Sequence, residues 1–285
     1  MTAAARLRQL LRREQMLLAP GAYDCITART IVHAGFDAVY MTGAGTAATL
    51  GYPDFGLVTM TEMVDNARRI ATAVDLPVIA DADTGYGNEL NVVRTVREYE
   101  AAGVAGIHIE DQGFPKKCGH LDDKEIVPRA DWLAKIRAAA DARRSRDFTV
   151  IARTDARAVA GFDEAIGRAN DAIEAGADMV FVEAPQTLEE VAKVPELVRG
   201  PCLLNVVHGG KTPEIDLSEA ERMGYKLAIV PGLLIKNVVG ICEKTLSELA
   251  ATRRHPKPVR EMSVRETFQL WGADEWDALR TRFRG

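Results

Sequence analysis

Two hydrophobic rhythms alternate along the chain. Short apolar, β-branched runs recur: LLAP near Leu17, AVYMTG from Ala38, PVIADAD from Pro77, AGIHIED from Ala105, TVIARTD from Thr149, MVFVEA from Met179, CLLNVV from Cys202 and LAIVP from Leu227. Between most of these eight runs lie stretches with helical spacing, such as TEMVDNARRIATAV, ELNVVRTVREYEAAG and FDEAIGRANDAIEAGAD. The last two run into Gly103 and Gly176, where a helix C-terminus favours a residue that tolerates positive φ. Strands that are apolar throughout belong to a parallel sheet covered on its outer face. Eight strand–helix units therefore predict a closed (β/α)₈ barrel of the TIM type. An open, doubly wound sheet would carry a glycine-rich dinucleotide turn after its first strand, and LAPGAYD supplies none.

After Pro231 the pattern becomes helical only, which predicts a barrel over residues 1–231 and a C-terminal helical extension over 232–285. The tail contains Ser263-Val-Arg-Glu266, a capping box, followed by an amphipathic segment with Phe268, Leu270, Trp271, Trp276, Leu279 and Phe283. Those side chains require a surface to cover, either on the same barrel or on a neighbouring subunit. The arginine-rich start, MTAAARLRQLLRREQ, resembles a transit peptide in composition. Strand-like sequence follows directly from Met16, so it is read as a surface helix of the fold.

Composition narrows the function classes. A chain of 285 residues, 47% of them hydrophobic, is long enough for one large core. With 36 Lys and Arg against 41 Asp and Glu the net charge is −5, which argues against a nucleic-acid footprint. No apolar run approaches the roughly 20 residues that cross a bilayer. Cys25, Cys118, Cys202 and Cys242 are too scattered for a disulfide framework or a structural zinc site, and a reducing cytoplasm fits them.

The chemistry gathers at the strand ends, because a (β/α)₈ barrel builds its active site at the C-terminal mouth. Polar residues close the runs there: Tyr40 and Thr42, Asp81 and Asp83, His108 and Glu110, Arg153 and Asp155, Glu183, then Asn205. Pairs two residues apart share one face of a strand, so several acids converge. Close carboxylates repel unless protonated or bridged by a cation, and an all-oxygen cluster suits Mg²⁺ or Mn²⁺. Asp111 and Asp155 are the members read as structural. Arg153 carries the planar fork that clamps a carboxylate. The stretch GFPKKCGH then leaves the mouth as a glycine- and proline-bearing loop able to fold over a ligand, with Lys116, Lys117 and His120 expected to lower the pKa of Cys118. Thr42-Gly-Ala-Gly45 either presents backbone N–H groups to an anion or merely turns the chain. His208 and Lys211, in VVHGGKTP, form a candidate substrate-contact loop.

Taken together, MTGAGTAATLGYPDFG, IADADTGYG, IHIEDQGFPKKCGH, ARTDA, FVEAP and NVVHGGKTP resemble the isocitrate lyase/phosphoenolpyruvate mutase superfamily, from about Gly21 to Pro231. The resemblance implies a barrel whose C-terminal helix is exchanged between subunits of a homotetramer, a dimer of dimers. It implies Mg²⁺ at Asp81, Asp83 and Glu110, with Asp54 nearby. It implies a dicarboxylate or tricarboxylate substrate held by Thr42, Gly43, Ala44 and Arg153, with His108, Gly119, Glu183 and Asn205 lining the site. The cysteine of K-K-C-G-H marks the lyases, and GFPKKCGH with HGGKTP resembles the branch that cleaves 2,3-dimethylmalate to pyruvate and propionate. Thr42 and Ala44 depart from the Ser and Gly of the 2-methylisocitrate branch, and Pro231 from the serine of oxaloacetate hydrolases; these and oxaloacetate decarboxylation are the alternatives. On this reading Tyr40 or a metal-bound water is the base, Cys118 the general acid, and Lys117, His120, protonated Glu183 and Asn205 stabilise the developing negative charge.

Overall fold

Each apolar run becomes a parallel strand hydrogen-bonded to the next, and the eighth pairs with the first, in a computed structural model that describes residues 1–284. In chain order the barrel unit comprises α1 (Ala3–Leu11), β1 (Leu17–Ala22), α2 (Cys25–His33), β2 (Val39–Met41), α3 (Gly43–Thr49), α4 (Met60–Ala73), β3 (Val78–Asp81), α5 (Glu89–Ala101) and β4 (Gly106–Glu110). It continues through α6 (Arg129–Ala142), β5 (Thr149–Thr154), α7 (Ala156–Val159), α8 (Phe162–Glu174), β6 (Met179–Val182), α9 (Leu188–Leu197), β7 (Cys202–Asn205), α10 (Leu217–Met223) and β8 (Leu227–Val230). The sheet closes with Leu17 opposite Leu227 and Pro20 opposite Val230. The expected (β/α)₈ fold is the observed one.

The two-residue period of the strands sorts their side chains into two cores. Val39, Val78, Ile107, Ile109, Val150, Ala152, Val180 and Leu204 face outward and pack under the helices. Leu17, Ala19, Tyr40, Ile79, Ile151, Met179, Phe181, Leu203, Leu227 and Ile229 face the barrel interior. Leu7 and Leu10 of α1 join that inner cluster, so this helix plugs the N-terminal end of the barrel. Arg8 fixes the plug by donating to the carbonyls of Arg146, Asp147 and Phe148 and by pairing with Asp178 at 2.8 Å. The arginine-rich start is thus a lid on the barrel floor, more deeply engaged than a surface helix.

Local signals in the sequence end several helices as expected. Gly103 and Gly176, at φ of 89° and 108°, follow α5 and α8. The glycine-rich TGAGTAAT is a short helix rather than a turn, started by Thr42, whose Oγ1 accepts from the Gly45 N–H.

The chain divides into two units, Met1–Lys236 and Asn237–Gly285. The second contains most of α11 (Leu233–Thr252), then α12 (Val264–Gln269) and α13 (Ala273–Arg284). The Ser263–Glu266 capping box is formed. Phe268, Trp276 and Phe283 are exposed. No helix among the described residues is long and apolar enough to cross a membrane.

Candidate active site

The inward parity that places Ile79, Ile151, Met179 and Leu203 in the core brings Asp81, Arg153, Glu183 and Asn205 to the C-terminal mouth, one or two steps further along the same faces. Above them the residues after β4 form a loop tied at its neck. The Gly113 N–H donates to the Glu125 carbonyl, the Val127 N–H donates to the Asp111 carbonyl, and Gln112 bridges to Ile126. This loop carries Cys118 over the mouth and docks there by polar anchors. Lys116 pairs with Asp54 and, at 2.5 Å, with Asp83. Lys124 donates to Asp155 Oδ1 at 2.8 Å and to the Gly119 carbonyl. Gln112 holds the Lys117 backbone through both N–H and carbonyl.

The docked loop encloses a cavity of about 230 Å³ lined by Tyr40, Thr42, Ala44, Asp54, Asp81, Cys118, Gly119, His120, Arg153, Glu183 and Asn205, together with Phe181, Pro231, Ile235 and Lys236. Gly43, Asp83, His108 and Glu110 are not part of that lining, and Asp83 faces a neighbouring cavity. Lys117 does not enter it. Its Nζ donates to the Asp123 carbonyl, because Gln112 fixes the peptide at Lys117 and turns the side chain away. The cation that the loop delivers inward is Lys116. Charged residues in an aperiodic loop give no facing signal, so the sequence groups Lys116 with Lys117 and His120 around the thiol without showing that Lys116 alone turns to Asp54 and Asp83, and Lys124 does not stand out.

Arg153 is the electrostatic centre. Nε lies 2.9 Å from Asp155 Oδ2, Nη1 3.1 Å from Glu110 Oε2 and Nη2 3.4 Å from Glu183 Oε2, with the guanidinium stacked 5.1 Å from the Phe181 ring centroid. Asp155 and Asp111 do structural work: Asp111 accepts from Thr154 Oγ1, the Asp155 N–H and Arg168. Burial alone would protonate Glu183, but Arg153 and His120 outweigh it and hold the carboxylate well below its ordinary range. Glu183 is thus ionised, against the expectation of a protonated donor. His120 Nδ1 accepts from the Lys211 N–H at 3.0 Å, which leaves Nε2–H to donate to Glu183 Oε1 at 3.1 Å. Lys211 also reaches Asp122 on the loop, so HGGK clasps the lid rather than the cavity, while His208 is exposed and pairs with Glu214.

Two further expectations are corrected by burial. The Cys118 thiol is pushed up, not down; burial dominates, and Lys116 has committed its charge to Asp54 and Asp83. Burial, reinforced by Asp81, also raises the Tyr40 phenol well above its ordinary range, so it stands neutral. Its hydroxyl lies 2.8 Å from His108 Nε2, and burial lowers that imidazole to about 4. Tyr40 is therefore part of a neutral phenol–imidazole pair.

The acids at the mouth suit a hard cation. Glu110 Oε1 and Oε2 are buried without a hydrogen-bond partner, since the nearby Arg153 is poorly aligned with them. Burial raises Glu110 well above its ordinary range and Asp83 to about 6. Asp83 sits at φ 45°, a strained backbone fixed by its N–H donating to Asp81 Oδ1 at 2.9 Å. Among the described residues no three acid, imidazole or thiol groups stand close enough to hold an ion alone. A cation at Asp81, Asp83 and Glu110 would take much of its shell from water and substrate oxygens, as Mg²⁺ does.

Gly119 shows how tightly the loop fits. A Cβ there would overlap Glu183 Cγ and Arg153 Nη2. Gly119→Ala is expected to lower kcat on the order of 100-fold by displacing the loop, with little change in Tm. Steady-state kinetics beside a thermal melt checks this, and unchanged kcat would show that the loop position is unimportant.

A model of the family described as phosphoenolpyruvate phosphomutase matches residues 7–250. The 2,3-dimethylmalate lyase of Eubacterium barkeri is 53% identical over 232 residues, covering 81% of this chain and 80% of that protein. A crystal structure of 2,3-dimethylmalate lyase, described as a PEP mutase/isocitrate lyase superfamily member, superposes with TM-score 0.95 at 40% identity, covering 100% of this chain and 96% of the other. Oxaloacetate acetylhydrolase bound to 3,3-difluorooxalacetate also superposes with TM-score 0.95, at 37% identity over 100% of this chain and 98% of the other. The chain belongs to the phosphoenolpyruvate phosphomutase family and is a lyase of the PEP mutase/isocitrate lyase superfamily.

Proposed function

We propose that the protein cleaves the C2–C3 bond of a 2-hydroxydicarboxylate of the alkylmalate class, giving a 2-oxo acid and a monocarboxylate. The observation that carries this reading is a protonated thiol, Cys118, held over a cavity of about 230 Å³ that also contains Arg153 and Asn205. With 2,3-dimethylmalate the products are pyruvate and propionate.

Arg153 binds the 2-hydroxycarboxylate end through its fork, and the first-turn N–H groups of Gly43 and Ala44, which have no intrahelical partner, support the same carboxylate. Magnesium bound at Asp81, Asp83 and Glu110 would supply Lewis-acid polarisation of the hydroxyl and carboxylate oxygens. Tyr40, hydrogen-bonded to His108, orients the substrate hydroxyl, whose proton leaves to water in the cavity. As the C2–C3 electron pair moves onto C3 and into the second carboxylate, Asn205, through the amide hydrogen it does not give to Glu183, is the donor that meets that charge, with His120 fixed beside it by Glu183. Cys118 then protonates C3 and is left as thiolate. Glu183, ionised, holds His120 and Arg153 in place. Pro231 in the cavity wall offers no hydroxyl to an attacking water or a hydrolytic intermediate, which favours the lyase over oxaloacetate hydrolysis.

A turnover screen with and without Mg²⁺ tests the reading, using malate, citramalate, 2,3-dimethylmalate, isocitrate, 2-methylisocitrate and oxaloacetate, with both products identified. Pyruvate plus propionate from 2,3-dimethylmalate, lost on chelation, is the expected result. Pyruvate plus succinate would move the assignment to 2-methylisocitrate, and turnover of oxaloacetate alone would overturn the alkylmalate reading.

A further inference from the structure

Next to the Cys118 cavity lies a second, larger one of about 700 Å³, formed by three mouth loops and helix α6. Its walls are mostly apolar, with Leu57, Val58, Met60, Tyr86, Phe114 and Val127. The Lys116–Asp54 ion pair stands between the two, since Lys116 lines the larger cavity and Asp54 the smaller.

The larger cavity contains two lysines in different electrostatic states. Lys116 is matched by Asp54 and Asp83. Lys135, on α6, is only 8% exposed, and its Nζ donates to a single acceptor, the Thr84 carbonyl at 3.1 Å. An ammonium has three donors, so two are left without a protein acceptor. Burial draws this ammonium below the ordinary lysine range, opposed at longer distance by Asp131 and Glu110. No carboxylate of the described residues forms an ion pair with it. A buried cation of this kind is costly unless a ligand or water matches it, and apolar walls select what can.

We propose that this cavity is a binding site for an aliphatic monocarboxylate, whose carboxylate pairs with Lys135 and whose chain packs on Leu57, Met60 and Phe114. A dicarboxylate fits poorly, because its second charge would meet apolar walls or Lys116, whose charge Asp54 and Asp83 already match. Phe114 and Lys116 belong to the loop that carries Cys118, so an occupant touches the catalytic lid from outside the catalytic cavity. The proposal stands independently of the lyase substrate.

The test is calorimetric titration of the full-length protein with hexanoate, with hexylamine as the control of equal length and opposite charge. Hexanoate is expected to bind and hexylamine not to. Lys135→Met should weaken hexanoate at least tenfold. Leu57→Trp, at an exposed rim position, should obstruct the wall on which the chain packs and weaken hexanoate similarly without placing any charge at risk, and decides the matter if the lysine variant does not fold. Asn205→Ala, in the Cys118 cavity, should leave hexanoate affinity unchanged. Absence of hexanoate binding, equal binding of hexylamine, unchanged affinity in Leu57→Trp, or loss of binding in Asn205→Ala would each overturn the assignment.

Discussion

Replacing Cys118 with serine is expected to lower kcat by roughly 10²- to 10⁴-fold, the usual contribution of a positioned general acid, while KM and Tm change little. Serine is close in size and keeps the loop, but its hydroxyl is a far weaker acid than a thiol. The pH profile adds a second readout. A general acid works only while protonated, and burial has raised the Cys118 pKa from its ordinary value of 9.0. The wild-type rate should therefore persist to higher pH than an ordinary thiol would allow, then fall as the thiol ionises. That alkaline limb should vanish in Cys118→Ser. Near-normal turnover by the serine variant would remove the thiol from the proton-donating step, and an alkaline limb below the ordinary thiol range would show that the loop activates Cys118 as a thiolate instead.

The placement of Cys118 also shows which features of this protein are readable from order alone. Runs such as PVIADAD and TVIARTD carry both halves of a strand's instruction: apolar residues for the sheet, then Asp81 or Arg153 on the same parity for the mouth. Period two is a local property, so the barrel and most of the cavity lining follow from it. Loop facing is not local. Lys116 and Lys117 are adjacent and chemically identical, yet one is buried against Asp54 from the β2–β3 region and the other points to Asp123. Their difference is set by Gln112 and by partners tens of residues away. The same holds for proton affinities. Three cations around a thiol suggest a lowered pKa, whereas the fold commits those cations elsewhere and buries the sulfur. Glu183 moves in the opposite sense because β5 and the loop bring it Arg153 and His120. The helix hidden in TGAGTAAT was obscured by glycine, whose value here lies in close approach: a Cβ at Gly43 would overlap Asp81 Oδ2.

Arg153→Met is expected to abolish turnover and to destabilise the protein by about 3–5 kcal/mol, the cost typical of removing one partner from a buried charge network. The guanidinium is surrounded by Glu110, Asp155 and Glu183, all fully buried, and it is packed against Phe181. Without it, Asp155 keeps only Lys124 and Glu183 only His120, while Glu110, already drawn by burial towards its neutral form, loses its one ion-pair partner among the described residues. Methionine fills much of the volume and supplies no donor, so the carboxylates would have to protonate or draw in water. The loss should therefore shrink as pH falls, because protonation removes the uncompensated charge. Arg153→Lys separates the two roles. It restores a positive charge and part of the stability, but its point charge cannot make the paired hydrogen bonds of the fork, so kcat/KM should remain severely reduced. Denaturant unfolding at two pH values, alongside kinetics on whichever acid the screen identifies, distinguishes these effects. Wild-type stability in Arg153→Met would show that the surrounding acids are already neutral in the folded protein, and full activity in Arg153→Lys would show that substrate recognition requires only the charge.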